Sequence, residues 1–114
     1  MSTRAENKDL IQRFWADLGR RDFAAVAAYF TEDGHYTDVP APEEGAVGPK
    51  AIEARLRLGL EPLERYVLHD GPILADGDMV ITEHAEEWFW ESGEHVRLPF
   101  VSVHEVRDGR IVRW

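Results

Sequence analysis

The chain has 114 residues, 44% of them hydrophobic, and its 22 acidic and 13 basic side chains give a formal net charge of −9. This length predicts one domain, residues 1–114, with a single modest core, and the negative charge argues against nucleic acid and anionic membrane surfaces as partners. The sequence has no cysteine, which excludes disulfides, thiolate metal sites and a cysteine nucleophile.

Helical patterning fills the first part of the chain. Thr3 and Glu6 have the spacing of a capping box, and Gly19 is a suitable stop for the helix that follows. Asp22 can cap a second helix, which we expect to end at Glu32–Gly34. The apolar stripes of these two helices are Leu10, Ile11, Phe14, Trp15 and Leu18, and then Phe23, Val26, Ala27 and Phe30.

A short strand and a third helix come next. The strand is predicted over His35–Val39, because the prolines that follow cannot continue it. Ala41–Gly48 is a loop rich in proline and glycine. Pro49 suits the first turn of a helix that carries Ile52 and Leu56 on its apolar side.

The second half of the chain has the patterning of strands. Four are predicted: Arg65–Ala75, Met79–Trp90, His95–Arg107 and Arg110–Trp114. Turn signals separate them at Asp76-Gly77, Ser92-Gly93 and Asp108-Gly109. Consecutive hairpins give an antiparallel meander, and helices that precede it predict an α+β fold. We expect three helices packed on one face of a strongly curved, mainly antiparallel sheet that encloses a pocket.

The most informative segment is Met79–Trp90, because side chains along a strand alternate between its two faces. His84, Glu86 and Trp88 therefore share one face. Charged groups are rarely buried unless they are paired. Two interpretations are open: a solvated face with a cross-strand ion pair, or an acid–base pair that lines an apolar pocket.

Several motifs resemble those of a known group of proteins. They are Tyr36-Thr37-Asp38-Val39-Pro40, Ile81-Thr82-Glu83-His84-Ala85-Glu86, Leu98-Pro99-Phe100 and the final segment His104–Trp114. With the order of elements, they resemble the nuclear-transport-factor-2-like, or SnoaL-like, superfamily from about Leu10 to Trp114. Within it, the likeness is greatest to limonene-1,2-epoxide hydrolase and its relatives. The resemblance implies a cone-shaped fold, a homodimer and a hydrophobic small-molecule substrate.

The resemblance also implies functional positions in the first two motifs. Tyr36 matches a tyrosine of the epoxide hydrolases, and Asp38 stands where they have asparagine. His84 occupies an arginine position and Glu86 an aspartate position. A second catalytic aspartate is expected two residues after the position of Trp114, where the sequence has no residue.

These positions suggest how an epoxide could be opened without a cofactor. Glu86 would be the acid if an apolar pocket raises its pKa, and Asp38 would be the base that activates water. Tyr36 would help to hold the water, and His84 would bridge the two carboxylates. We expect Trp88, Trp15 and Phe100 to bind the apolar part of the substrate.

Other interpretations remain open. The same residues suit an isomerase or polyketide cyclase that moves a proton next to a carbonyl, with Asp38 as base and an enolate held by Tyr36, His84 or Glu86. A non-catalytic binding module is a third possibility. Each residue could also be structural: Asp38 could fix the turn before Pro40, and the tryptophans could be core or dimer contacts.

Neither a metal nor a cofactor is expected. The histidines lack metal-ligand spacing, the chain has no glycine-rich phosphate loop, and Ser102 lacks the sequence context of a nucleophile elbow. The N-terminus lacks the apolar segment of a signal peptide, and no stretch approaches the length of a membrane span. We therefore expect a cytoplasmic protein.

Overall fold

Three helices form one layer of the fold: α1 (Arg4–Gly19), α2 (Phe23–Ala28) and α3 (Pro49–Leu60). The computed structural model describes residues 3–38 and 44–114. The predicted capping box starts α1, since the Glu6 N–H donates to Thr3 Oγ1 and the Thr3 N–H donates to Glu6 Oε1, both at 3.1 Å. None of the helices in the described residues is long and apolar enough to cross a membrane.

One sheet forms the other layer. Its strands are β1 (Phe30–Tyr36), β2 (Ala46–Val47), β3 (Arg65–His69), β4 (Ile73–Asp76), β5 (Met79–Phe89), β6 (His95–Arg107) and β7 (Arg110–Arg113). Their order is β2-β1-β7-β6-β5-β3, and β4 also pairs with β5. Among the pairings of the described strands, β1 with β7 is parallel and the others are antiparallel. The curled, mainly antiparallel sheet under N-terminal helices confirms the predicted α+β class.

The predicted end of the second helix was wrong. The helix stops at Ala28, and the segment from Phe30 through Glu32–Gly34 belongs to β1. Pairing with the distant β7 overrides the local helical pattern, since Phe30 lies opposite Ile111 in the sheet. Of the strand predicted over His35–Val39, residue 39 lies outside the described residues, as do residues 41–43 of the predicted loop.

The predicted strand Arg65–Ala75 is also two strands rather than one. β3 and β4 pair with different stretches of β5 and are separated by Asp70-Gly71-Pro72. Gly71 passes so close to β5 that a Cβ on it would lie 1.9 Å from the Glu83 carbonyl oxygen. Pro72 cannot donate to a neighbouring strand, so the chain bends here and restarts its pairing farther along β5.

The alternation predicted for β5 is confirmed. Val80, Thr82, His84 and Glu86 are buried on the inner face of the sheet, the face that packs against the helices. Ile81 and Glu83 are exposed on the outer face. β6 lies opposite β5 without interruption, so this division between an inner and an outer face extends across both strands.

A histidine lies within the aromatic core. His104 on β6 is fully buried, and neither of its ring nitrogens has a hydrogen-bond partner among the described residues. Its ring stacks on Trp114 at 5.6 Å and meets the edges of Phe14 at 4.8 Å and Trp15 at 5.3 Å. Burial lowers the pKa of His104 from 6.5 to about 3, so the folded protein holds this side chain neutral.

This buried histidine predicts a loss of stability in acid. Between pH 6.5 and about 3 the unfolded chain binds a proton at His104 that the folded chain does not. The contribution of neutral His104 to the free energy of unfolding is therefore complete above pH 6.5 and declines as the pH falls below that value. We expect His104→Phe to reduce the difference in unfolding free energy between pH 7.5 and pH 5, measured by urea denaturation.

Ile111→Val is the matched control, because Ile111 is fully buried and does not titrate. It should lower stability by about 1 kcal/mol at both pH values. A His104→Phe protein with the same pH dependence as the parent would contradict the prediction.

Candidate functional site

A cavity of about 910 Å³ lies between α3 and the inner face of the sheet. Much of its wall is apolar, with Leu56 and Leu60 from α3 and Trp88, Phe100 and Trp114 from the sheet side. The polar residues at its surface are Tyr36, Thr37, Asp38, Arg55, Glu86, Ser102 and Arg113. A largely apolar cavity with a few polar groups is typical of a small-molecule site.

The end of β1 places a carboxylate at the cavity. The Tyr36 hydroxyl donates to Asp38, with Oδ1 at 2.8 Å and Oδ2 at 3.0 Å. The Tyr36 ring is buried and stacks on Trp114 with 4.1 Å between ring centroids. Burial, followed by the charge of Asp38, raises the pKa of Tyr36, so its hydroxyl remains a donor. The Asp38 side chain is 54% exposed and free to meet water in the cavity.

Arg55 is a member of this group that the sequence analysis did not identify. From α3 it brings its guanidinium to 3.6 Å from Asp38 Oδ2 and to 5.6 Å from the centre of the Tyr36 ring. Its position three residues after Ile52 puts it beside the buried stripe of the helix, a signal available from the sequence. No motif distinguished it from the other arginines of α3.

Glu86 is the buried carboxyl group of the site. Its side chain is on the inner face of β5, and the Trp88 indole N–H donates to its Oε1 at 3.1 Å. Burial raises the pKa of Glu86, and the charge of Asp38 raises it further, against the opposing effects of Trp88 and Tyr66. Glu86 is thus suited to carry a proton, whereas Asp38 is exposed to water.

Tyr66 is a second residue that the sequence analysis missed. It lies on β3 directly opposite Trp88, so its ring is on the same face as Glu86. Its hydroxyl is buried and makes no hydrogen bond of normal geometry among the described residues. Burial, then the charge of Glu86, raises the pKa of Tyr66. An alternating strand pattern cannot distinguish such a residue from an ordinary core tyrosine.

His84 does not occupy the bridging position expected from the sequence. Its Nε2 lies 2.9 Å from Ser102 Oγ, and within the described residues it has no hydrogen bond or ion pair with Asp38 or Glu86. Its ring lies between Trp15, at 4.3 Å, and Phe100, at 5.6 Å. Burial lowers the pKa of His84, an effect that the charge of Asp70 partly offsets, so the ring is neutral. The His84 ring contacts the cavity through its hydrogen bond with Ser102.

The three residues predicted to bind the substrate lie in different places. Trp88 and Phe100 line the cavity. Trp15 does not; it is 4% exposed in the core, where its indole N–H donates to Thr82 Oγ1 at 3.2 Å. Its position on the apolar stripe of α1 directs it between His84 and His104 rather than towards the cavity.

Within residues 3–38 and 44–114, no cluster of three or more His, Asp or Glu side chains is arranged to hold a metal ion.

The coupling between the two carboxyl groups is testable. Replacing Asp38 with asparagine removes the negative charge that raises the pKa of Glu86. We therefore expect the pKa of Glu86 to fall in Asp38→Asn, as measured by NMR titration of the 13C-labelled side-chain carboxyl group. Asp33→Asn, at an exposed position of β1, is the control and should leave the titration of Glu86 unchanged. An unaltered Glu86 titration in Asp38→Asn would show that the two groups do not interact.

The sequence matches the SnoaL-like domain family over residues 11–114. No curated protein sequence matches the chain significantly.

Solved structures share the fold. An LEH-like epoxide hydrolase of M. tuberculosis is 26% identical, with a TM-score of 0.83 over 97% of this chain and 80% of that one. A protein of Xanthomonas campestris pv. campestris, proposed to be a polyketide cyclase, is 25% identical, with a TM-score of 0.86 over 98% and 89%. A Catenulispora acidiphila protein with a ketosteroid isomerase-like fold, in complex with trimethylamine, is 17% identical, with a TM-score of 0.81 over 91% and 80%.

Proposed function

Because this chain belongs to the SnoaL-like domain family, we propose that it is a cofactor-free hydrolase that opens an epoxide of a hydrophobic small molecule. One observation carries the proposal: a buried carboxyl group with a raised pKa and an exposed carboxylate line the same largely apolar cavity. Epoxide opening needs such a pair, an acid at the ring oxygen and a base on the attacking water.

The two carboxyl groups then have distinct roles. Asp38 accepts a proton from water while the water oxygen bonds to a ring carbon. The bond from that carbon to the ring oxygen breaks, and the ring oxygen takes its electron pair and the proton of Glu86. The product is a vicinal diol, and transfer of the proton from Asp38 to Glu86 through solvent restores both groups.

The remaining polar residues position this pair. Tyr36 donates to both oxygens of Asp38, and Arg55 lies against one of them, so the base is oriented from two sides. The Trp88 N–H holds one oxygen of Glu86 and leaves its other oxygen to carry the proton. Groups fixed by their neighbours lose less freedom when the substrate arrives. The similarity to an LEH-like epoxide hydrolase supports the same reaction class.

Isomerase or cyclase chemistry is the alternative, since Asp38 could remove a proton next to a carbonyl while neutral Glu86 donates to the enolate oxygen. Labelled water distinguishes the reactions. Hydrophobic cyclic epoxides and unsaturated cyclic ketones would be incubated in water enriched in both 18O and deuterium. One 18O in a diol supports the hydrolase, and deuterium next to a carbonyl without a new oxygen supports the isomerase. Absence of both products supports a binding module.

Substitution of the two carboxyl groups tests their roles. Asp38→Asn should remove the base and Glu86→Gln the acid, and each should lower kcat/KM for the epoxide by about 10²–10⁴-fold. Glu83→Gln is the control, because Glu83 is exposed on the outer face of the same strand. Full hydrolysis by Asp38→Asn would show that Asp38 is not the base.

A homodimer also belongs to this proposal. Exposed apolar side chains lie on the outer face of the sheet, with Leu74 69%, Ile81 44% and Val101 66% exposed. Covering such a patch with a second copy would remove it from water.

The cytoplasmic location expected from the sequence stays part of the proposal, and cell fractionation tests it.

The outer face gives a prediction about assembly. Val101→Lys should convert a dimer to a monomer, because a charge within the patch opposes its burial. Light scattering coupled to size-exclusion chromatography measures the mass. Leu58→Lys is the control, since Leu58 is 81% exposed on α3 rather than on the sheet. A Val101→Lys protein that stays dimeric would place the interface elsewhere.

A further inference from the structure

Ser102 is a cavity residue whose hydroxyl has only one partner. Its Oγ lies 2.9 Å from His84 Nε2, and it has no other hydrogen bond within residues 3–38 and 44–114. Ser102 lies on β6 opposite the buried Thr82, so its side chain is on the inner face and reaches the cavity. A serine hydroxyl can donate one hydrogen bond and accept others.

The surroundings of His84 decide which of the two groups donates. The ring is neutral, because burial lowers the pKa of His84, so only one ring nitrogen carries a proton. His84 Nδ1 is buried without a hydrogen-bond partner among the described residues, and Asp70 does not bond to it. A proton on Nδ1 would leave a buried N–H group unsatisfied, which proteins avoid more strictly than an unsatisfied acceptor.

The proton therefore belongs on Nε2, where it is donated to Ser102 Oγ. This bond occupies the serine oxygen as an acceptor and leaves its own O–H without a partner in the protein. The remaining direction for that O–H is the cavity. His84 thus acts as a positioning residue that makes Ser102 a donor, and the same arrangement makes Ser102 a poor nucleophile, since a nucleophile would donate its proton to the histidine.

We propose that Ser102 donates a hydrogen bond to an uncharged acceptor oxygen of the ligand, remote from the reacting ring. Glu86 lies four residues from Thr82 along β5, on the order of 13 Å at the rise of a strand, so Ser102 and Glu86 contact different ends of a bound molecule. Because neutral His84 adds no positive charge beside Ser102, the Ser102 hydroxyl suits an uncharged ketone or ether oxygen. This inference rests on the proposed function of the same cavity. It narrows the proposed substrates to hydrophobic molecules with a second oxygen.

Binding of a matched pair of probes tests the proposal without turnover. Cyclododecanone and methylenecyclododecane have similar shapes and differ in the acceptor oxygen. Trp88 and Trp114 line the cavity, so quenching of tryptophan fluorescence reports binding. Ser102→Ala should weaken binding of the ketone by about 3- to 10-fold and leave the hydrocarbon within about twofold. Ser102→Thr should keep the affinity for the ketone, and Ser92→Ala, at an exposed turn, should change neither.

The tautomer of His84 gives a second measurement on the unaltered protein. Long-range 1H–15N NMR correlations should show the proton on Nε2. A proton on Nδ1 would overturn the proposal, and so would equal losses for both probes, or no loss, in Ser102→Ala. Loss of epoxide hydrolysis would leave these binding results unchanged, so a failure of the proposed function is distinguishable from a failure of this inference.

Discussion

The cavity depends on the continuous pairing of β5 with β6. Residues from Met79 to Phe89 lie opposite residues from Glu105 to His95 without a break in register. Because side chains alternate along both strands, this register places His84 and Glu86 on one buried face with their partners. A shift by one residue would turn both groups to the outer face and bring Glu83 and Glu87 inside. The acid of the proposed reaction exists only in this register.

The chemistry of the site follows from a difference in burial between two similar side chains. Glu86 is buried on the sheet, whereas Asp38 stands at the exposed end of β1 with Tyr36 and Arg55 around it. Burial raises the pKa of Glu86 and so favours its protonated form, whereas Asp38 remains in contact with water. In the proposed reaction, Glu86 is the acid and Asp38 is the base. His84 contributes differently, as a neutral ring that orients Ser102.

Local sequence signals predicted much of the fold. The capping box of α1, the proline at the start of α3 and the alternation of β5 act over a few residues, and each was found where the sequence placed it. The two errors arose where a distant strand decides the local structure. Phe30 pairs with Ile111, which ends the helical segment early, and Gly71 must pass close to β5, which divides one predicted strand in two.

The sequence by itself determined the fold class, through the order of its helices and strands, and the face on which His84, Glu86 and Trp88 lie, through spacing along one strand. Only the tertiary structure decided that Arg55 contacts Asp38, that Ser102 rather than a carboxylate meets His84, and that Trp15 packs in the core. The Arg55 and Trp15 contacts follow from how α3 and α1 pack on the curled sheet, and the His84 contact follows from the register of β5 against β6. No periodicity along a single element records contacts between elements.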